Sequence, residues 1–481
     1  MRILLTGANG YIGKRLIPPL IEDGHEIICC VRDKHRFPEE GIYKHPNISI
    51  LETDFTKSVS DTDTIKEIDV AYYFIHSLNT NIKDFEKLEE ICANNFIEFI
   101  KPTSVKQIIY LSGITNEKKL SKHLSSRKNV EKILSKSNIP LTSLKAGIIV
   151  GSGSASFEII RDIVEKLPII PAPVSINTRC QPIAIRNVLE YLTGVLLNKD
   201  TLNKSFDIGG QDILTYKEML LQFAEVRKLR RFVLSSPIIT PRIMRYFLYF
   251  LTSTPYWISS NLVESMKVEV VAKKNNLKKM LGIEPFTYKE AVELAFQKIE
   301  QNNVVSSWKD AVIISYGNKD LLDNINIPSD GCLCDIRLKP IKTDINQVLK
   351  NIWSIGGERG WYYGNWLWEI RGFIDKLVGG VGLRRGRTNA NAINTGDTLD
   401  FWRVLVADKQ NKRLLLYAEM KLPGEAWLEF KIIKKEQEYF LQQTATFRPK
   451  GLPGRLYWYG LLPIHSIMFN GLAKNIIRYG I

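Results

Sequence analysis

Up to Glu300 the chain repeats one pattern: a short run rich in Ile, Val, Leu and aromatic residues, a turn, then an amphipathic stretch. The apolar runs are Arg2–Leu5, Glu26–Val31, Ile48–Leu51, Val70–Ile75, Gln107–Leu111 and Leu141–Val150. Helical spacing of apolar positions marks Gly13–Asp23, Phe85–Lys101 and Ser125–Ser137 between them. Strands that are apolar on both faces need cover on both sides, so the alternation predicts an α/β fold built on a doubly wound parallel sheet. From Ile159 to Glu300 the pattern becomes mostly helical and looser, interrupted by Pro168, Pro171 and Pro173.

The character changes after Glu300. Residues 301–350 are polar and read as a linker, which gives a first domain over 1–300 and a second over 351–481. The second opens on a glycine- and tryptophan-rich block, Gly356–Arg387. Four runs of period-two alternation follow, Thr398–Ala407, Arg413–Lys421, Ala426–Ile433 and Tyr439–Phe447. An apolar helix over Leu461–Ile477 closes the chain. A strand meander with one terminal helix predicts an α+β domain unlike the first.

Composition adds bounds. With 481 residues, 44% hydrophobic and 24% charged, the chain has the make-up of a folded globular protein and not of a disordered, collagen-like or coiled-coil one. Six cysteines are too few for a disulfide scaffold, and Cys332-x-Cys334 lacks zinc spacing, so free thiols and no metal site are expected. Met1-Arg2 runs straight into an apolar strand without a leader pattern, and no run of about 18 apolar residues occurs. The expected location is cytoplasmic. The net charge of +15 suits a phosphorylated ligand or an anionic membrane surface. No nucleic-acid reading motif accompanies it, and no nucleic-acid partner is expected.

The most informative motif is at the start. Gly7-x-x-Gly10-x-x-Gly13 follows a strand and opens a helix. Gly7 permits a tight turn, Gly10 lets backbone approach a pyrophosphate, and Gly13 lets the helix pack close to the sheet. A bound dinucleotide is the expectation. The second strand ends in Cys29-Cys30-Val31-Arg32, and Arg32, with Lys34 beyond it, can fork onto a 2′-phosphate. NADP(H) is therefore preferred, and NAD(H) stays open because Asp33 intervenes.

These residues, with others further on, resemble the atypical and extended short-chain dehydrogenase/reductase family, NmrA-like members included, over about the first three hundred residues. The resemblance rests on Thr6 to Gly13, Thr53-Asp54-Phe55, Tyr72 to Ser77, Asn95, Ile109 to Gly113 and Phe206 to Gly210. It implies a Rossmann fold. It also implies cofactor contacts from Gly7, Asn9, Gly10, Tyr11, Ile12, Gly13, Arg32, Asp54, Phe55, Ile75 and His76. Active members carry a serine and a Tyr-x-x-x-Lys pair for proton transfer. Here Ser112 is present, whereas His123 and Arg127 stand where tyrosine and lysine would. Two readings remain open: His123 as an alternative acid beside Arg127, or a lapsed site that only senses dinucleotide.

The second domain resembles an uncharacterised, START-like helix-grip domain fused behind such reductases. It does so through Gly360 to Gly364, Trp366, Trp368, Gly379 to Arg387, Asp400 to Arg403, Ala418 to Gly424 and Tyr457 to Tyr459. That implies an apolar ligand. The expectation is an oxidoreductase acting on a hydrophobic carbonyl or quinone-type substrate; the alternative is a non-catalytic sensor or assembly protein. Arg384, Arg385 and Arg387 form a basic cluster. The run from Tyr439 to the end has no acidic residue, which leaves open peripheral contact with the inner face of the membrane, but Pro463, His465 and Asn470 interrupt the last helix, so its packing onto the domain's own sheet is the stronger reading.

Overall fold

The computed structural model describes residues 1–481 except 33, 35–36, 38–40, 58–64, 77–84, 116–121, 252–259, 261–262, 301–331, 358, 383–392, 394, 396, 436–437 and 481. The basic cluster at Arg384, Arg385 and Arg387 thus lies outside the described residues. The chain divides into two compact units, Met1–Ser315 and Tyr316–Ile481.

In the first unit, seven strands form one parallel sheet: β1 (Arg2–Thr6), β2 (Glu26–Val31), β3 (Ile48–Glu52), β4 (Val70–Tyr73), β5 (Gln107–Gly113), β6 (Leu141–Ala146) and β7 (Lys204–Ile208). Their spatial order is β7-β6-β5-β4-β1-β2-β3, all in parallel register. The order reverses between β1 and β4. In a doubly wound sheet, ligands bind outside the carboxyl ends of the strands at that reversal. Helices α1 (Tyr11–Glu22), α2 (Phe85–Ile100), α3 (Lys122–Leu134), α4 (Ala155–Lys166), α5 (Ile185–Gly194), α6 (Tyr216–Val226), α7 (Pro241–Leu251), α8 (Leu277–Leu281) and α9 (Tyr288–Glu300) complete the unit.

The sheet has two buried faces, as its apolar strands require. One packs Leu16, Ile17 and Leu20 of α1 with Val188 and Leu192 of α5 onto Ile3, Leu5 and Tyr72. The other packs Cys92, Ala93, Phe96 and Phe99 of α2 with Val130 and Leu134 of α3 onto Leu4, Ala71 and Tyr110. Two expectations need correction here. The sixth strand stops at Ala146, and Ile149–Val150 pairs elsewhere, with Ile183–Ala184. At Gly147 the chain comes so close to the Gln181 carbonyl that a Cβ would lie 2.0 Å from its oxygen. A seventh strand, β7, sits inside the stretch read as helical.

In the second unit, strands β8 (Leu333–Pro340), β9 (Thr398–Leu399), β10 (Trp402–Asp408), β11 (Arg413–Ala418), β12 (Gly424–Lys435) and β13 (Glu438–Pro449) form an antiparallel sheet in the order β8-β13-β12-β11-β10-β9. Helices α10 (Ile345–Ile352), α11 (Asn365–Leu377) and α12 (Gly451–Arg478) accompany it, and α12 packs on the sheet through Met468, Phe469, Leu472 and Ile476. Two further corrections follow. The far end of the stretch read as a linker is β8 and α10. In β8 the inward positions include Asp335 and Arg337, which pair at 2.7 Å, while Ile336 is exposed, so its polarity is that of an inverted edge strand. The last helix begins at Gly451 and continues through Pro463, forgoing one helical hydrogen bond.

Most of the tryptophan and glycine fingerprint is core and ties. Trp361 and Trp368 stack at 4.5 Å, and Trp361 Nε1 donates to Asp400 at 2.5 Å. Buried Asp375 accepts from the Gly382 and Lys421 backbone N–H groups at 2.8 and 2.7 Å. Arg403, 1% exposed, pairs with Glu419.

Candidate dinucleotide site

The loop from Thr6 to Gly13 joins β1 to α1 at the sheet's reversal point. Gly7 has φ +65°, and a Cβ there would lie 2.7 Å from the Phe74 carbonyl oxygen at the exit of β4. At Gly13 a Cβ would lie 2.4 Å from the Gly7 oxygen and 2.8 Å from Ala8 Cα. Only glycine fits either place. The Gly10 N–H donates to the Gly7 carbonyl at 2.8 Å, closing the turn, and Gly10 is the N-cap of α1 with no side-chain cap and no acidic residue in the first turn. The N–H groups of that turn and the positive end of the helix are thus available to an anion. Thr6 secures the neighbouring exit: its hydroxyl donates to the Tyr72 carbonyl at 2.9 Å and accepts from the Phe74 N–H at 3.0 Å.

Asn9 is 7% exposed, and its Oδ1 finds no hydrogen-bond partner among the described residues. A buried amide oxygen lacking a donor costs about 1–3 kcal/mol, so a ligand that supplies one fits here. The glycine cradle and this carbonyl suit a dinucleotide.

Arg32 and Asp54 meet across the tips of β2 and β3, with Nε and Oδ1 4.0 Å apart. Asp54 also caps its own turn, accepting from the Thr56 N–H and hydroxyl at 3.1 and 2.8 Å. The side chains of the other expected contacts pack within the protein. Phe55 packs edge-on against Phe96 and Phe99 in the core. Ile75 and Ile12 are partly buried on opposite faces of the sheet. Tyr11 lies under the Arg15 guanidinium at 4.8 Å, and its hydroxyl sits 2.6 Å from where a Cβ on Gly151 would be. Burial pushes that phenol up to about 12.

Ser112, 4% exposed, lies on β5. Arg127 reaches the same strand from α3: it donates to the Leu111 carbonyl and covers the Tyr110 ring at 5.1 Å. His123 belongs to α3, and its side chain is outside the described residues. A group that the sequence did not single out sits between these elements. Glu89 of α2, 2% exposed, accepts from His76 Nδ1 at 2.7 Å through one oxygen and from the Ser126 hydroxyl through the other. Burial opposes its ionisation, but the His76 hydrogen bond, the His76 and Arg127 charges and Ser126 outweigh it and hold the carboxyl below the usual range. The signal was present: Glu89 shares the buried stripe of α2 with Cys92, Ala93, Phe96 and Phe99, where a carboxylate needs partners.

Strand order and glycine cradle together define the first unit as a Rossmann-type, dinucleotide-binding fold. Residues 7–159 match the family model described as NAD(P)H-binding, and 330–472 match one described as a protein of unknown function (DUF2867). An isoflavone reductase homolog of Lupinus albus is 21% identical over 244 residues, 47% of this chain and 75% of the relative. The photosystem II assembly factor Ycf39 of Trieres chinensis is 23% identical over 247 residues, 49% of this chain and 74% of its own length. The chloroplastic divinyl chlorophyllide a 8-vinyl-reductase of Arabidopsis thaliana is 21% identical over 225 residues, with 53% of its length covered. Among solved structures, a nucleoside-diphosphate-sugar epimerase of Staphylococcus aureus is 16% identical, with 61% of this chain and all of that one covered at a TM-score of 0.49. The first unit thus has a Rossmann-type fold whose residues 7–159 match the NAD(P)H-binding model. Among the described residues no cluster could hold a metal ion, and no helix is long and apolar enough to cross a membrane.

Proposed function

We propose that this protein is an NADPH-dependent oxidoreductase acting on a hydrophobic carbonyl or quinone-type substrate, with Gly7, Asn9, Gly10 and Gly13 holding the pyrophosphate and Arg32 the 2′-phosphate. The reading is carried by the cradle, in which two glycines admit no Cβ and a buried Asn9 carbonyl meets no donor among the described residues. When bound, the dinucleotide supplies a hydride equivalent. Ser112, His123 and Arg127 are the proposed reaction-side residues, Arg127 acting through its hold on β5. The second unit, in the helix-grip reading, binds an apolar ligand.

One observation favours the non-catalytic alternative: Arg127, at the position of the family's lysine, has its guanidinium engaged by the Leu111 carbonyl and the Tyr110 ring. The test is NADPH oxidation with menadione and 9,10-phenanthrenequinone as probes, together with mass spectrometry of small molecules carried by the purified chain. Turnover, or a carried dinucleotide with a lipid-like compound, supports the enzyme. A carried dinucleotide alone, without turnover of either probe, supports the sensor.

We further infer that the second unit lies against an anionic membrane surface, on the cytoplasmic side. Helix α11 buries Trp368, Gly372, Asp375 and Lys376 while exposing Trp366, Ile370, Phe373, Ile374 and Leu377. The first half of α12 likewise exposes Leu452, Leu456, Tyr459 and Ile464. Arg448, Lys450 and Arg455 accompany this apolar surface, and no acidic residue follows Glu438. Apolar side chains at the surface with surrounding cations match an anionic bilayer. Flotation with phosphatidylglycerol-containing vesicles should exceed that with phosphatidylcholine alone, and Trp366→Glu with Phe373→Glu should abolish it. Equal flotation with both lipids, or a dimer in solution that buries this face, would overturn the inference.

A further inference from the structure

Strand β13 turns Leu441, Gln443, Ala445 and Phe447 to the same buried side of its sheet, and Gln443 is the polar member of the four. It is 1% exposed, and its Oε1 has no hydrogen-bond partner among the described residues. Its ladder partners are Arg337 of β8 and Phe430 of β12, and neither supplies a donor to that oxygen. A carbonyl oxygen taken from water and given nothing in return is a cost that packing alone does not explain. A group from outside the chain would remove it.

Helix α12 lies over this side of the sheet. Trp458, His465, Phe469, Leu472 and Ile476 recur at the spacing of one helix face. The His465 ring stacks on Phe469 at 5.2 Å and meets Trp458 edge-on at 6.0 Å, while Trp458 stacks on Phe447 of β13 at 5.7 Å. His465 Nδ1 is buried, and it too has no hydrogen-bond partner among the described residues. The next residue, Ser466, accepts from Arg337 Nη2 at 3.0 Å, and Arg337 is the residue paired with Gln443 in the ladder. Both unmet atoms therefore belong to one stretch of the layer between β13 and α12.

The charges around that stretch narrow the choice of ligand. Arg337 is held by Asp335 through Nε at 2.7 Å and Nη2 at 2.9 Å. Asp335 is the ladder partner of Ala445, the smallest of the four inward residues, which stands between Gln443 and Phe447. A carboxylate ligand would meet an anion and an acceptor here. Burial pushes His465 down from its ordinary value; Asp335 pulls it back and Arg371 adds to the fall, so the ring is uncharged at neutral pH. The missing group must then be neutral, donate to an amide oxygen and share a hydrogen bond with an imidazole. A hydroxyl does both, whereas a carbonyl only accepts.

We propose that the second unit binds a neutral hydrophobic compound through a hydroxyl group, which donates to Gln443 Oε1 and accepts from His465 Nδ1–H, with the rings of Phe447, Trp458 and Phe469 beside its apolar body. The proposal rests on the reading of the second unit as one that binds an apolar ligand, and it names the group by which that ligand is recognised. A ketone and the alcohol that two electrons and two protons make of it share a skeleton and differ at this group alone. The site therefore takes the reduced compound and passes over the oxidised one.

Calorimetric titration of the full chain with 1-tetralol and 1-tetralone, an alcohol and a ketone on one skeleton, tests the preference. The alcohol should bind more tightly by about ten- to a hundred-fold, the worth of one hydrogen bond to an otherwise unmet buried acceptor. Gln443→Leu should bring the alcohol down to the affinity of the ketone. It should also leave the melting temperature unchanged or raised, because the unliganded chain loses no hydrogen bond at Oε1. A glutamine with only a structural role would lower the melting temperature and leave the preference in place. Should the variant fail to fold, the ring signals of ¹³C-labelled histidine in the wild-type chain decide: those of His465 move with 1-tetralol and not with 1-tetralone. Equal affinities, a tighter ketone, or a preference that survives Gln443→Leu overturns the proposal while leaving the apolar-ligand reading intact. If neither compound binds and the His465 signals stay still with both, that reading falls and takes this one with it.

Discussion

Gly13→Ala perturbs the cradle at a single atom. The new Cβ would meet the Gly7 oxygen at 2.4 Å and Ala8 Cα at 2.8 Å, where ordinary contact begins at 3.4 Å. Both neighbours are backbone, so α1 and the glycine turn must part by about 1 Å, since no side chain can move aside. Overpacking of this kind costs about 1–3 kcal/mol. At about 2–4 °C per kcal/mol, the melting temperature of the first unit should fall by about 2–12 °C. The same displacement carries the first-turn N–H groups of α1 away from a bound phosphate. Losing one charge-assisted hydrogen bond, at about 1.5–3 kcal/mol, should weaken NADPH binding by about ten- to a hundred-fold. Scanning calorimetry and titration calorimetry on the same sample read the two effects. Gly24→Ala is the control: φ is +75° there but a Cβ meets nothing within 4 Å, so stability should fall while NADPH affinity holds. Wild-type affinity in Gly13→Ala, or equal loss of affinity in both variants, would refute the reasoning.

Arg32→Ala should weaken NADPH by about ten- to a hundred-fold and leave NADH nearly unchanged in parallel titrations, because only NADPH carries the 2′-phosphate. The Glu89 carboxyl lies below its ordinary value in the folded chain, so its stabilisation is complete above the unfolded value of about 4.3 and is lost as pH falls from there through the folded value. Urea midpoints taken from about pH 6 to 3 should therefore fall less steeply in Glu89→Gln than in the wild type, after a lower start, and parallel slopes would contradict this. In the second unit, Trp361→Phe removes the donor to Asp400, a residue only 5% exposed, and should cost about 1–3 kcal/mol by urea unfolding.

How much of this was legible depended on whether the signal is local. Gly7, Gly10 and Gly13 act within one turn, and strands β1, β2 and β4 are apolar at all but their end positions because both faces are covered, so fold class and cradle could be read directly. Periodicity alone missed strand β7, because Lys204 and Ser205, at the edge of the sheet, dilute its apolar run; the family resemblance did mark Phe206 to Gly210 near a late strand. Strand β8 was hidden for a related reason: it turns Asp335 and Arg337 inward to each other and Ser466, leaving Ile336 outside, the reverse of the usual alternation. The long reach of α12 was masked by Pro463, which costs one hydrogen bond without ending the helix. Glu89 was missed because its partners are distant in sequence. Residue 76 and residue 126 come to it only through the packing of α2 and α3 on the sheet.

The central claim, that the glycine cradle of the first unit holds a reduced dinucleotide and selects NADPH, is tested most directly by titrating the full chain with NADPH and NADH in one buffer of stated salt. Saturable binding at one site per chain, with NADPH tighter by about tenfold or more, is the predicted result. Tighter binding of NADH would contradict the role given to Arg32, and no binding of either would contradict the account as a whole.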